Sequence, residues 1–383
     1  MEQCQWWVYC LGKECMNTGL TIPFTGLKKQ YNNLRTEILD VTDEVLRSGQ
    51  LMNGNNTVEF EAWLARKNHV RYAVTCHSGT HALEILANYW AMESPVPHPP
   101  TVLIPSMTYV ATANAFLRAG WDIHIIDTDA QGLLNTNSIP AGLSYQAIAM
   151  VGLYGAAVTH HGDVRSWNQW IQHDTLIIED AAQHWLSADC TRIGKGGAAI
   201  SFDPMKNLAC YGNGGAVVTD NLDLAEYARA WRDNGKPTHR NPGTNSRMSE
   251  LDCAHMLVKS RHIDYWQARR QKIADHWRDR FKHTDIRCLI NDANAHNHAV
   301  HKFVIDVDGR DTLRANLALR KIDTRVHYIN PLHELPLYRA YPGPDMLAAS
   351  SSLARRVLSL PIYPELTDLE VEYISDQVVD CVA

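Results

Sequence analysis

Seven short β-rich runs, separated by helical stretches, occupy the first two thirds of the chain, and this alternation leaves few folds open. The runs are residues 71–76, 101–104, 122–127, 147–151, 175–178, 198–202 and 216–219. Most are continuously apolar rather than alternating, the pattern of strands covered on both faces. Helical spacing fills several of the gaps, as over 80–92 and 108–118. Such a chain is expected to form an α/β fold with a mainly parallel seven-stranded sheet and right-handed crossovers. Ahead of the first run, residues 55–65 have helical spacing, and Val58, Phe60, Trp63 and Leu64 are expected to share a face.

The pattern changes after about residue 257. Ile263, Trp266, Ile273, Ala274, Trp277 and Phe281 recur at helical spacing through a charged segment. Residues 301–307 read as a strand. Thr367-Asp368-Leu369-Glu370 has capping-box spacing and opens a helix carrying Leu369, Ile374 and Val378. A large domain over 21–260 and a smaller C-terminal α+β domain over 261–383 are therefore expected. Residues 1–20 contain Trp6, Trp7 and three cysteines but no basic stretch followed by an apolar one. They are read as an extension outside the fold rather than a signal peptide.

Composition excludes several classes. No apolar run approaches the roughly 18 residues of a membrane span. A net charge of -6 argues against a nucleic-acid surface. The nine cysteines are scattered without C-x-x-C pairs, which fits neither a disulfide framework nor a metal site. They read as free thiols of a reducing, cytoplasmic compartment.

Chemistry concentrates around Lys206. It lies in Ser201-Phe202-Asp203-Pro204-Met205-Lys206-Asn207-Leu208, and Gly212-Asn213-Gly214-Gly215 follows. Upstream stand Glu179-Asp180-Ala181-Ala182-Gln183, at the end of an apolar run, and Ser78-Gly79-Thr80, between a strand and a helix. Taken singly, each has an ordinary reading. Ser78 and Asp180 can be helix caps, Tyr109 can be packing, and Lys206 can be a solvated lysine. Together they supply an amine nucleophile, a carboxylate at a strand end and an anion-binding turn. Pyridoxal phosphate needs those three things: a Schiff-base lysine, an acid for its pyridine nitrogen and a phosphate cradle.

At this point the residues match a family. The chain resembles the DegT/DnrJ/EryC1/StrS sugar aminotransferases, which have the type I fold of pyridoxal-phosphate-dependent transferases. The resemblance runs from about residue 22 to 379. It is carried by Glu59-Phe60-Glu61, Ser78-Gly79-Thr80, Pro105-Ser106-Met107-Thr108-Tyr109, Glu179-Asp180-Ala181-Ala182-Gln183, Lys206-Asn207-Leu208, Asn245-Ser246-Arg247-Met248, Val326-His327-Tyr328 with Pro331-Leu332-His333, and Leu358-Ser359-Leu360-Pro361. It implies that Lys206 is catalytic and carries the cofactor, that Asp180 pairs with the ring nitrogen, and that Gln183 lies beside the ring's oxygen. Tyr109 takes the place of the stacking aromatic. Ser78, Gly79, Thr80 and Ser201 surround the phosphate, and Asn245 reaches it from the partner of a homodimer. His327 and His333 are implied as substrate contacts. No metal ligand is implied.

The resemblance also implies transfer of an amino group, from L-glutamate, to a nucleotide-linked keto-sugar. A cyclitol ketone as acceptor, sugar dehydration, and a binding or regulatory protein without turnover are the alternatives. In the best-known dehydrating type a histidine replaces the lysine, so Lys206 argues against it. Three departures from the family stand out: a short loop at 194–197, Asp203 where a histidine or aromatic is common, and Gly152 where a histidine commonly precedes Leu-Tyr-Gly.

Overall fold

A computed structural model of the chain describes residues 20–96, 99–157, 175–187, 190, 195–341, 343 and 347–382. The readings for residues 1–19 and for Gly194 fall outside them. All seven expected strands form: β1 (Tyr72–Cys76), β2 (Thr101–Pro105), β3 (Asp122–Ile126), β4 (Ala147–Val151), β5 (Leu176–Asp180), β6 (Ala198–Ser201) and β7 (Gly215–Thr219). Their spatial order is β1-β7-β6-β5-β4-β2-β3. The strands β2 to β6 are joined in parallel pairs, whereas β7 runs antiparallel to both β1 and β6.

Each face of this sheet is covered, which is why its strands read as continuous apolar runs. On one face Val74, Ile104, Ile178 and Val217 pack with Leu83 and Leu86 of the Gly79–Met92 helix. On the other, Ile200 and Val218 pack with Phe60 and Leu64 of the Asn55–Lys67 helix. Val58 does not join them and is 64% exposed. It lies two residues from Phe60, about 200° around a helix, so the two cannot share a narrow face. The Leu27–Ser48 helix has little sequence signal at its start. It buries Gln30, Leu34, Ile38 and Val45, but Gly26 ahead of it offers no side-chain cap.

A second, antiparallel sheet is made of β8 (Arg287–Cys288), β9 (Phe303–Asp306) and β10 (Val357–Leu360), with β9 in the centre. Trp277 of the Ile263–Phe281 helix is fully buried beside it, its ring centroid 5.1 Å from that of Phe303. The indole N–H donates to the Val371 carbonyl at 3.0 Å, joining this helix to the Asp368–Val382 helix. That last helix begins with the expected capping box: Thr367 Oγ1 accepts from Glu370 N–H, and Glu370 Oε2 accepts from Thr367 N–H. The expected strand at 301–307 is shorter because its first residues are bonded elsewhere. Lys302 N–H donates to the Tyr154 carbonyl at 3.0 Å.

Glu250 joins two helices of the large sheet's cover. Its buried carboxylate accepts the N–H groups of Gly54, Asn56 and Thr57 at 2.7, 3.0 and 3.0 Å, and also the Thr57 hydroxyl. Loss of hydration works against the charge, but these hydrogen bonds outweigh it and hold the carboxyl below its ordinary value of 4.5. A carboxyl held low stabilises the fold above its unfolded value and ceases to do so as pH falls through the folded one. Glu250→Gln is therefore expected to cost about 2 kcal/mol at neutral pH, and the gap to wild type should close as the pH is lowered beneath 4.5. Urea unfolding at a series of pH values measures this; a gap independent of pH would show that the charge contributes nothing.

Candidate active site

Three strand ends meet at one edge of the large sheet. The last residues of β1 and β6, Cys76 and Ser201, both lie opposite Gly215 at the start of β7. Asp180 ends β5, the next strand along. Open α/β sheets collect ligands at such carboxyl ends.

After β1 the chain enters the Gly79–Met92 helix. Ser78 caps it, its hydroxyl accepting from His81 N–H at 3.2 Å, so the ordinary reading of Ser78 holds. Ala82 N–H bonds the Ser78 carbonyl at 3.0 Å. The N–H groups of Gly79 and Thr80, in the first turn, have no acceptor within the helix and lie at the positive end of its dipole. Gly79 comes so close to β6 that a Cβ on it would stand 2.6 Å from Ser201 Cβ and 3.1 Å from its hydroxyl oxygen. Two backbone donors and one hydroxyl thus border one small space, a cradle for an anion.

Asp180 is buried, yet its carboxylate is paired. Thr112 donates to Oδ2 at 2.7 Å, and Ala182 N–H reaches Oδ1 at 3.2 Å. The second bond is a local turn bond, since residues 181–187 form turns and not the helix that a cap at Asp180 would open. The first comes from the Val110–Arg118 helix, which Tyr109 opens. Thr112 is itself bonded to Thr108 at 2.8 Å and is fully buried.

Lys206 sits on a tight loop. Its N–H bonds the Asp203 carbonyl at 2.8 Å, while Phe202 N–H to Gly214 and Cys210 N–H to Phe202, both 2.8 Å, close the loop's base. Asp203, one of the departures from the family, helps to shape this loop, because its carboxylate accepts Met205 N–H at 2.9 Å. Burial pushes the Lys206 ammonium below the usual lysine value, and the carboxylates of Asp180 and Asp203 pull it part of the way back. A lysine so placed loses its proton more readily than one in water.

Gln183 and the tyrosines form the third side. Gln183 Oε1 accepts Tyr154 N–H at 2.9 Å, and its amide donates to the Tyr328 hydroxyl at 3.3 Å. The Tyr328 ring lies 5.9 Å from that of Tyr109, which is 55% exposed and free to stack on a flat ligand. Tyr154 donates its hydroxyl to the His327 carbonyl. His327 bonds Ser359 at 2.9 Å, and burial together with Lys302, Lys206 and Arg325 brings its imidazole down to about 3. His333 is tied to Ser106 at 2.6 Å and Ser351 at 3.1 Å. Both rings thus brace the wall through serines. Asn245 is exposed, its side chain accepting from Arg247 at 3.1 Å.

Sequence reading misses Thr112, Tyr154 and Tyr328. Tyr328 adjoins His327 in a motif quoted above, and Thr112 lies one turn after Tyr109, but their partners are distant in the chain. The third departure, Gly152, also has an explanation: the imidazole of His184 occupies the space that any side chain at 152 would need. His184 is fully buried against Glu179, 3.5 Å away.

Residues 32–379 match the DegT/DnrJ/EryC1/StrS aminotransferase family. The chain belongs to that family. It is 34% identical, over 356 residues, to dTDP-3-amino-3,4,6-trideoxy-alpha-D-glucose transaminase of Streptomyces venezuelae, covering 90% of this chain and 92% of that protein. Its fold matches that of S. venezuelae DesV, solved in complex with a ketimine intermediate, with a TM-score of 0.85 and 32% identity over 94% of this chain and 98% of the other. Bacillus subtilis NtdA, solved with the cofactor PMP, matches with a TM-score of 0.81 and 25% identity over 92% and 82% of the two chains. This aminotransferase depends on pyridoxal phosphate, and the residues present fit that group. The cradle at Gly79 and Ser201 suits a phosphate, and the paired Asp180 carboxylate suits a protonated ring nitrogen.

Gly79→Ala forces a methyl group against Ser201. We expect it to weaken pyridoxal phosphate binding by about 1–3 kcal/mol, roughly five- to 150-fold. Equilibrium dialysis against the free cofactor measures this. Unchanged affinity would place the phosphate elsewhere.

Proposed function

We propose that this aminotransferase moves an amino group from L-glutamate to a keto-sugar carried on a nucleotide, in two half-reactions at one site. The observation that carries the reading is the convergence of Lys206, Asp180 and the Gly79–Ser201 cradle at one sheet edge. The nucleotide-sugar names of several relatives support the choice of acceptor.

Bound pyridoxal phosphate supplies an electron sink for the carbon that loses its proton. The chain's residues do the rest. Lys206 Nζ, lowered in basicity by burial, takes the donor's α-proton as general base and returns a proton as general acid. Asp180 would pair with the ring nitrogen, and Thr112 and the Ala182 N–H keep its carboxylate oriented. A charge-assisted hydrogen bond there is worth about 1.5–3 kcal/mol. The Gly79 and Thr80 N–H groups and Ser201 would hold the phosphate, with Ser78 fixing the turn. Gln183 would lie at the ring's oxygen and Tyr109 on its face. His327 and His333 would shape the wall on the substrate side.

We include a homodimer in this proposal. Asn245 is exposed at the surface, where it can reach a partner's site. Mixing a Lys206→Ala variant with an Asn245→Ala variant should restore activity, up to about half that of wild type, because one site in each mixed dimer would keep both residues. A fully active monomer would refute shared sites.

Glutamate should bleach the visible band of the bound cofactor, and 2-oxoglutarate should restore it; turnover with a nucleotide keto-sugar should then show parallel-line ping-pong kinetics. Bleaching by another amino acid alone would replace glutamate as donor. A band unchanged by every amino donor would favour a binding protein without turnover.

A further inference from the structure

Behind β5, away from the cofactor edge, three side chains of different chemistry converge. Glu179 precedes Asp180 on the strand, so the two side chains point to opposite faces of the sheet. His184 follows in the turn after β5, and Cys190 lies six residues further on. Their exposures are 1, 0 and 6%. A carboxylate oxygen, a ring nitrogen and the thiol sulfur all lie within 4.8 Å of one another. Gly152 makes room for the imidazole, since a Cβ there would stand 2.3 Å from His184 Cγ.

His184 is the unusual member. Neither Nδ1 nor Nε2 has a hydrogen-bond partner, although the ring is fully buried. A neutral imidazole has one N–H to donate and one nitrogen to accept, and burying both unmet is costly. Nε2 stands 3.5 Å from Glu179 Oε2. A hydrogen-bonded N–H and oxygen prefer about 2.9–3.0 Å. Two such atoms bound at about 2.0–2.2 Å to one tetrahedral zinc ion stand about 3.3–3.6 Å apart. The observed separation is the second spacing. Bringing the sulfur into the same shell takes a shift of about 1 Å.

We propose that Glu179, His184 and Cys190 bind a divalent zinc ion. A thiolate and an imidazole favour zinc over calcium or magnesium, which take oxygen ligands. The thiol loses its proton to solvent as the metal enters. Thiolate and carboxylate then balance the two charges of the ion, so the loaded site adds no net charge to the interior. Glu179 also lines a surface groove with Trp90, Lys195 and Asn221, which gives the ion a path inward. The scattered cysteines exclude a site built from C-x-x-C pairs, not one that uses a single thiol. The ion would fasten the end of β5, which bears Asp180, to the turn that bears Gln183. Its binding does not depend on the identity of the donor or the sugar.

The test uses the holoenzyme, loaded with zinc sulfate and then dialysed against metal-free buffer. Wild type should retain about one zinc per chain and melt at a higher temperature than before loading. Loss of an outer partner already costs a zinc site about 10–100-fold in affinity, so Cys190→Ser, which removes a ligand, should lose at least that much. Its circular dichroism and cofactor band should be unchanged. A crystal of the loaded wild type should show an anomalous peak at the zinc edge about 2.0–2.3 Å from His184 Nε2 and Cys190 Sγ, which decides the matter even if the variant does not fold. No retained zinc, as expected if the Lys195 ammonium is the counter-ion of Glu179, overturns the proposal. So does a peak elsewhere, or equal retention by folded Cys190→Ser.

Discussion

Everything at the site depends on one close crossing of backbones. The Ser78-Gly79 segment passes over the start of β7, where a Cβ on Gly215 would strike Ser78 and the Gly79 nitrogen. On the far side it meets Ser201, where Gly79 must also lack a Cβ. Two glycines, one opening the helix and one opening β7, thus let the helix start reach across an intervening strand to the end of β6. Because β7 alone is antiparallel in the large sheet, β1 and β6 end on the same side of it. Without that reversal, the helix's free N–H groups and the Ser201 hydroxyl could not share a space.

Electrostatics builds on this steric frame. Asp180 is buried as an acceptor, which is tolerable because Thr112 and a backbone N–H satisfy it. Lys206 is pulled in opposite directions by lost hydration and by two carboxylates. The result is an amine that can gain and lose a proton near the acid. The Gln183–Tyr154–Tyr328 network then ties this edge to the smaller sheet, since Tyr154 also holds Lys302 N–H and the His327 carbonyl.

The strands are legible in the sequence because burial on both faces leaves little choice of residue, and each expected run differs from the observed strand by at most two residues at either end. Lys206, Asp180 and Gly79 are legible because each stands beside its own strand end in the chain. Thr112 and Tyr154 are not, because what makes them matter is a contact across 68 or 29 residues. Spacing misleads at Val58, where a helical period alone does not fix how wide the buried face is. Gly152 looks like a loss until folding brings His184 into its place.

Borohydride reduction of the holoenzyme, followed by proteolysis and mass spectrometry, tests most directly whether the cofactor is carried on Lys206 at this sheet edge. A single pyridoxyl-modified peptide containing Lys206 is predicted. Modification of a different lysine instead, or of no lysine in a protein that retains its cofactor, would contradict the assignment.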